Sequence, residues 1–356
     1  MTEQVLSYLE ALISFDSQNP PRNLDGDHAM YRWLADQVPD FEIEVVDHGE
    51  GRVTWFARRG NPRTLFNVHL DTVPVGADWS SNPLQLHLRD GRAYGRGTCD
   101  IKGAAACLLD LARTTDLPLG LLFTSDEEGS QGCCVKRFCE RLPNPSYDLV
   151  VVAEPTSCEV VTEHRGYLSV IGEFAGVAGH SSELRGMADN ALHDFASWAG
   201  TAVAAVKRDF PDSRFNLGRV EGGVKSNVIA DQVSAAFSAR LPPGSDSDAF
   251  LAAICAQGES ELARKPDWRV PFLGPPLPAA GADLQPVKEL AATLELPLGD
   301  PVGFWTESSL FSEAGLNTFV LGPGHIAQAH AVDEWVAIEQ LAKARSLYQR
   351  IAEHYV

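Results

Sequence analysis

Apolar residues recur at helical spacing over residues 3–14, the pattern breaks at Asn19-Pro20-Pro21, and it resumes over about 26–37. Three short β-rich runs follow, Glu42–Val46, Thr54–Arg58 and Thr64–His69, and predict strands. Residues 102–113 read as a helix, Leu119–Thr124 as a buried strand and Gly132–Leu142 as another helix. Asp148–Ala153 is a continuous apolar run, as expected for a strand covered on both faces. This alternation predicts an α/β domain built on a mixed or mostly parallel central sheet.

The rhythm changes after about residue 165. Tyr167–Phe174 alternates like a half-exposed strand, a helix covers roughly 187–207, strands fall near 214–221 and 231–240, a helix near 247–257 and a strand near 267–270. That order, β-α-β-β-α-β, is the order of a ferredoxin-like unit. Gly274-Pro275-Pro276 marks its exit. A helix over 283–294, a strand over Thr318–Leu321 and a long terminal helix over 334–353 complete the chain. The expectation is an α/β domain formed by residues 1–165 and 274–356, interrupted by an inserted α+β domain over 166–273.

Composition narrows the function classes. The 356 residues are 44% hydrophobic and 22% charged, an ordinary globular balance that can bury a core. The net charge of −19 repels phosphate backbones, so no nucleic-acid partner is expected. No window of 18 apolar residues and no basic-then-apolar leader occurs, so neither a membrane span nor a signal peptide is expected. Seven cysteines, none in a Cys-x-x-Cys pair, point to reduced thiols and a cytoplasmic location.

The candidate chemistry lies at strand ends. His69 ends one predicted strand, Glu127 and Glu128 follow a second, Glu154 follows a third and His330 lies in the loop after a fourth. Asp100 sits in the glycine-rich run Gly95-Arg96-Gly97-Thr98-Cys99-Asp100 just before a helix. In open α/β sheets, ligand sites lie beyond the carboxyl ends of the strands. Singly, each residue has an ordinary reading: Asp100 as a helix cap, Glu127-Glu128 as a solvated turn, the histidines as surface groups. Together, two imidazoles and three carboxylates suit Zn²⁺ or Co²⁺. Five ligands exceed one tetrahedral site and make two if Asp100 bridges. Asp71 is placed to orient His69. Adjacent glutamates in an extended segment face opposite ways, so one can bind metal and the other face the substrate as general base.

Four segments carry a family likeness: His69-Leu70-Asp71-Thr72-Val73-Pro74, Gly95-Arg96-Gly97-Thr98-Cys99-Asp100-Ile101-Lys102-Gly103, Thr124-Ser125-Asp126-Glu127-Glu128-Gly129 and Glu154-Pro155-Thr156. With them, nearly the whole chain resembles the dinuclear zinc aminoacylase and exopeptidase family, M20 metallopeptidase-like proteins that include acetylornithine deacetylases, desuccinylases and glutamate-type carboxypeptidases. The resemblance implies a zinc-exopeptidase-like α/β catalytic domain with an inserted ferredoxin-like lid and dimerisation domain. It implies two divalent ions, Zn²⁺ or Co²⁺, with occupancy of one or both left open. Asp100 would bridge them, His69 would pair with Glu154 and Glu128 with His330, and Glu127 would be the general base.

Further roles follow from the same resemblance. In Gly179-His180-Ser181-Ser182, His180 matches a histidine that reaches across a homodimer to the substrate carbonyl. Asn227 in Ser226-Asn227-Val228-Ile229 matches a substrate contact, although Ala230 stands where relatives usually carry proline. Arg240 matches an arginine that holds the substrate carboxylate, for which a forked guanidinium is suited. The Gly322–Gly324 backbone would help to hold the same carboxylate. The segment Leu321–His330 with Asp333-Glu334, and Thr306-Glu307, look like the acetylornithine deacetylase group, and within it the variant acting on acetylated citrulline.

The expected reaction is removal of the acetyl group from an N-acetyl-L-amino acid of arginine biosynthesis, acetylcitrulline or else acetylornithine, with Glu307 available to either side chain. Three competing readings have their own signatures. A dipeptidase or carboxypeptidase would share the centre but take other substrates, a cysteine hydrolase would use Cys99 or Cys133, and a non-catalytic binding protein would not need the intact ligand set.

Overall fold

The computed structural model describes residues 2–21, 23–129, 133–142 and 147–355. It divides into two compact units. One comprises residues 1–163, 282–302 and 306–356, the other 164–281 and 303–305.

The first unit begins with α1 (Thr2–Ser14) and α2 (Ala29–Gln37). α2 starts three residues later than the hydrophobic spacing predicts, because the His28 ring accepts the Met30 N–H and caps the helix there. β1 (Glu42–Asp47), β2 (Val53–Arg59) and β3 (Thr64–His69) follow, then a short hairpin, β4 (His87–Arg89) and β5 (Arg92–Tyr94), that the sequence pattern did not announce. α3 (Lys102–Thr114), β6 (Leu119–Thr124), α4 (Cys133–Glu140) and β7 (Leu149–Val152) complete this half. The start expected for α4, Gly132, lies outside the described residues.

The second unit contains β8 (Gly166–Ala175), β9 (Gly179–His180), α5 (Ala191–Asp209), β10 (Arg214–Gly222), β11 (Val228–Ile229), β12 (Gln232–Leu241), α6 (Ser247–Cys255) and β13 (Asp267–Gly274). Its antiparallel sheet has the order β10-β12-β8-β13, the ferredoxin-like order. Alternate residues of β8 and β12 are buried, and Leu168, Val170, Val233 and Phe237 pack with Trp198 and Phe250 of the two helices. α5 begins at 191 rather than 187 because Asn190 accepts the Leu192 N–H, and residues 184–187 form a separate 3-10 turn.

The chain then returns to the first unit through α7 (Gln285–Thr293), α8 (Ser308–Glu313), β14 (Thr318–Val320), β15 (Trp335–Ala337) and α9 (Ile338–Glu353). The terminal helix starts four residues later than expected, because Trp335–Ala337 pair with β5 instead. The main sheet has the order β1-β2-β6-β3-β7-β14, parallel from β6 to β14 and antiparallel at the β1-β2-β6 edge. β3, β6, β7 and β14 are buried along their whole length, which their near-continuous apolar sequences require. α3 packs against α1 and α9. The buried Lys102 ammonium donates to the carbonyls of Leu12 (2.9 Å) and Phe15 (3.0 Å), closing the end of α1 with a cation.

Candidate metal centre

Parallel strands β3, β6 and β7 end on the same edge of the sheet, so the residues that follow them meet there. His69 is the last residue of β3, Glu127 and Glu128 lie in the turn after β6, and Glu154 follows β7. Asp100 comes from the loop that opens α3. It does not cap that helix: Ile101 occupies the cap position and makes no side-chain capping bond. The Asp100 carboxylate turns instead to two imidazoles.

One Asp100 oxygen lies 3.0 Å from His69 Nε2, and the other lies 3.3 Å from His330 Nε2. His69 Nε2 is also 3.6 Å from Glu154. His330 Nε2 is 3.1 Å from Glu128. The carboxylate thus stands between two donor pairs, His69 with Glu154 and His330 with Glu128. Neither histidine forms an ion pair with Glu127 among the described residues. Ligand atoms of His69, Asp100 and Glu128 all lie within 4.8 Å of one another.

The remaining nitrogen of His69, Nδ1, lies 2.9 Å from the Asp71 backbone carbonyl and 3.5 Å from its carboxylate. The Asp71 carboxylate has another task. It accepts the N–H groups of Glu127 (3.3 Å) and Glu128 (2.9 Å), and the Asn19 side-chain amide (2.8 Å). Sequence reasoning gave Asn19 only as part of a break between helices, and no spacing signal connects it to Asp71.

The electrostatics show a shortage of positive charge. Burial opposes a charged His69, but Glu154, Asp100 and Asp71 outweigh it and hold the imidazole well above its ordinary pKa. Hydrogen bonds to Asp100 and Glu128 push His330 up to about 10. Burial favours a neutral Asp100, yet the two histidines win and keep it below the usual carboxylate range. Glu127, Glu128 and Glu154 all rise, first through burial and then through each other and Asp100. Several acids converging on two imidazoles need further cations. Oxygen and nitrogen donors in two pairs around a shared carboxylate fit divalent metal ions.

The glycine-rich loop is held by a group that sequence reasoning named but gave no role. Glu334 accepts N–H bonds from Gly97 (2.9 Å), Cys99 (2.8 Å) and Asp100 (3.0 Å), and pairs with Arg96 at 2.7 Å. Gly97 has φ +85°, and a Cβ there would meet Thr72 and Lys102 within 3.1 Å, so glycine is required. Cys99 is buried against the His325 carbonyl, and burial pushes its thiol well up, the wrong direction for a nucleophilic thiolate.

Of the other expected residues, Glu307 lies close enough to the centre to interact with the charges of His69 and Asp71. Glu307 is buried and accepts from Thr124 Oγ (3.0 Å), and its second oxygen has no hydrogen-bond partner among the described residues. Burial and Asp126 raise its carboxyl to about 8. The Gly322 N–H donates to Thr156 Oγ and the Gly324 N–H to Gln340 Oε1.

Within the second unit, His180 pairs with Val228 across the β9–β11 ladder, and the Ser181 N–H donates to the Asn227 carbonyl (3.1 Å), so His180 and Asn227 are neighbours. His180 is exposed, with Nδ1 2.7 Å from Ser182 Oγ. Arg240 lies at the other end of β12, its guanidinium 4.0 Å from the centre of the Tyr167 ring. Residues 232 and 240 of that strand are roughly 26 Å apart at about 3.3 Å per residue.

Residues 65–354 match the model of peptidase family M20/M25/M40. The chain is 42% identical to the N-acetyl-L-citrulline deacetylase of Xanthomonas campestris pv. campestris, covering 97% of this chain and 96% of that one. It is 30% identical to the acetylornithine deacetylase of Salmonella typhimurium, covering 91% and 88%. Among solved structures, the aminopeptidase PepT of Bacillus cereus shares the fold at a TM-score of 0.71 and 19% identity, over 99% and 98% of the two chains. A dinuclear metal binding M20 peptidase of Bacillus subtilis matches at 0.65 and 13% identity, over the same shares. On the family model and the extent of these identities, the chain belongs to peptidase family M20/M25/M40, and its relatives include named deacetylases.

Proposed function

We propose that the protein hydrolyses the acetyl amide of an N-acetyl-L-amino acid, with acetylcitrulline preferred over acetylornithine. The observation that carries the reaction class is the Asp100 carboxylate, one oxygen toward His69 and Glu154 and the other toward His330 and Glu128. The likeness to the Xanthomonas deacetylase supports the substrate.

In this reading His69, Asp100, Glu128, Glu154 and His330 hold two divalent ions. Such ions supply Lewis-acid polarisation of the amide carbonyl and make water a stronger acid. Glu127 is the general base. It lies in the turn beside Glu128 and pairs with neither histidine among the described residues, which leaves its carboxylate to take a proton from water and return it to the departing amine. Asp71 fixes the turn that presents it. Arg240 holds the substrate carboxylate, pre-ordered by stacking on Tyr167.

His180 and Asn227 belong to the segment that leads into the Gln232 end of β12, whereas Arg240 lies near the opposite end, and this separation supports their serving a different substrate from the Arg240 of their own chain. We therefore assign them to the site of a partner subunit in a homodimer, where His180 would stabilise the developing oxyanion. β10, an exposed edge strand of the second unit, is the candidate surface for a two-fold contact.

The test is kcat/KM on acetylcitrulline, acetylornithine and a set of dipeptides with one Co²⁺- or Zn²⁺-loaded preparation. Acetylcitrulline should lead. A lead for acetylornithine overturns the substrate alone, and a lead for dipeptides overturns the deacetylase reading.

A further inference from the structure

Of the segments that carry donors of the candidate metal centre, three, those of His69, Asp100 and His330, are touched by one buried ion pair. Glu334 accepts from the N–H groups of Gly97, Cys99 and Asp100 itself, so its carboxylate fixes the peptide planes that carry Asp100. Its own carbonyl accepts the Gly95 N–H at 3.0 Å. Its partner Arg96 donates at 3.3 Å to the carbonyl of Pro74, in the loop that follows His69, and at 3.3 Å to that of Ala331, next to His330. The Trp79 ring lies 5.1 Å from the guanidinium, and both charges are buried.

The loop that ends in Glu334 is also strained. His330 has φ of 62° and Asp333 φ of 54°, the left-handed region that non-glycine residues rarely adopt. Such conformations persist only where the surroundings over-determine them. Arg96 on Ala331, and the Ser80 N–H on the Asp333 carboxylate at 2.9 Å, do so here.

We infer that the Arg96–Glu334 pair is a positioning device for the metal centre: it sets the separation of the two donor pairs by holding the Asp100 loop against the His69 and His330 loops. Glu334 touches no reacting atom, so it is a positioning residue. The chemistry of the pair fits this task. A carboxylate accepting three backbone N–H groups defines a loop more tightly than any neutral acceptor could, and a planar guanidinium reaches two carbonyls and a carboxylate at once. Losing groups that orient metal ligands typically weakens metal binding about 10–100-fold.

The inference rests on the reading of His69, Asp100, Glu128, Glu154 and His330 as ligands, and the experiment separates the two. Wild type, Glu334→Gln and Arg96→Lys are titrated with Co²⁺ while visible absorption, affinity and stoichiometry are followed, and each is melted. Glu334→Gln keeps the size of the side chain but turns an amide –NH₂ toward donors. It is expected to lose at least tenfold in affinity for one ion and to change the Co²⁺ spectrum, with kcat falling more than KM rises. Arg96→Lys keeps the charge, loses the fork and is expected to fall between. If Glu334→Gln does not fold, Arg96→Lys decides. A wild type that binds no ion overturns the ligand reading and this inference with it. Folded variants with lower melting temperatures but unchanged Co²⁺ affinity and spectrum overturn the positioning role alone.

Discussion

The backbone N–H of Glu128 donates to Asp71 at 2.9 Å, so the residue beside one histidine also ties down the turn that carries the acid of the other. Asp71 thereby couples β3 to the turn after β6. Asp71→Asn should keep one acceptor but present a donor to the N–H of Glu127 or Glu128. The expected result is a loss of activity of about 10–100-fold with a weaker second ion. Full activity in this variant would place the turn under other control.

Glu127 and Glu128 should separate cleanly. Glu127 makes no ion pair with either histidine among the described residues, so Glu127→Gln should lose about 10²–10⁴ in kcat while keeping its metal. Glu128 faces His330, so Glu128→Ala should lose metal as well. Metal analysis beside kinetics checks both. Equal metal loss in the two variants would contradict the assignment of base and ligand.

Subunit exchange tests the two ends of β12. His180→Ala and Glu127→Ala subunits, each inactive alone, should recover activity when mixed, because one mixed site combines an intact His180 with an intact Glu127. No recovery, with a monomer in sedimentation, would assign His180 to its own chain.

Glu307 should set a pH dependence of stability. Its folded carboxyl is raised to about 8, above its unfolded value, so the folded state binds more protons between the two values. Stability therefore falls as pH rises from about 4.5 towards 8, by at most about 1.4 kcal/mol per pH unit for one group. Glu307→Gln should lessen that fall, so that its melting temperature gains on wild type from pH 5 to 8. A constant gap between the two melting curves would show that Glu307 is charged throughout.

The sequence by itself carried the layout. The apolar runs of β3, β6 and β7 predicted strands covered on both faces, because a strand between two helical layers has no polar side. The ferredoxin-like order was legible for a related reason, since β8 and β12 alternate at period two and their helices do not. His69, Glu128 and Glu154 could be named from position, as residues just beyond strand ends in such a sheet.

Only the tertiary structure decided what those residues meet. Nothing local distinguishes an Asp100 that caps a helix from one that divides its oxygens between His69 and His330, because the choice depends on groups 31 and 230 residues away in the chain. Nor could the sequence show that the N–H groups of Gly322 and Gly324 donate to Thr156 and Gln340. The hairpin β4–β5 and strand β15 were missed because three-residue strands have no periodicity to read; they exist through pairing with each other. The Arg96–Glu334 contact spans 238 positions. It forms because folding brings the loop after β14 against the loop before α3, where a buried carboxylate needs donors and a glycine-rich backbone has them to give.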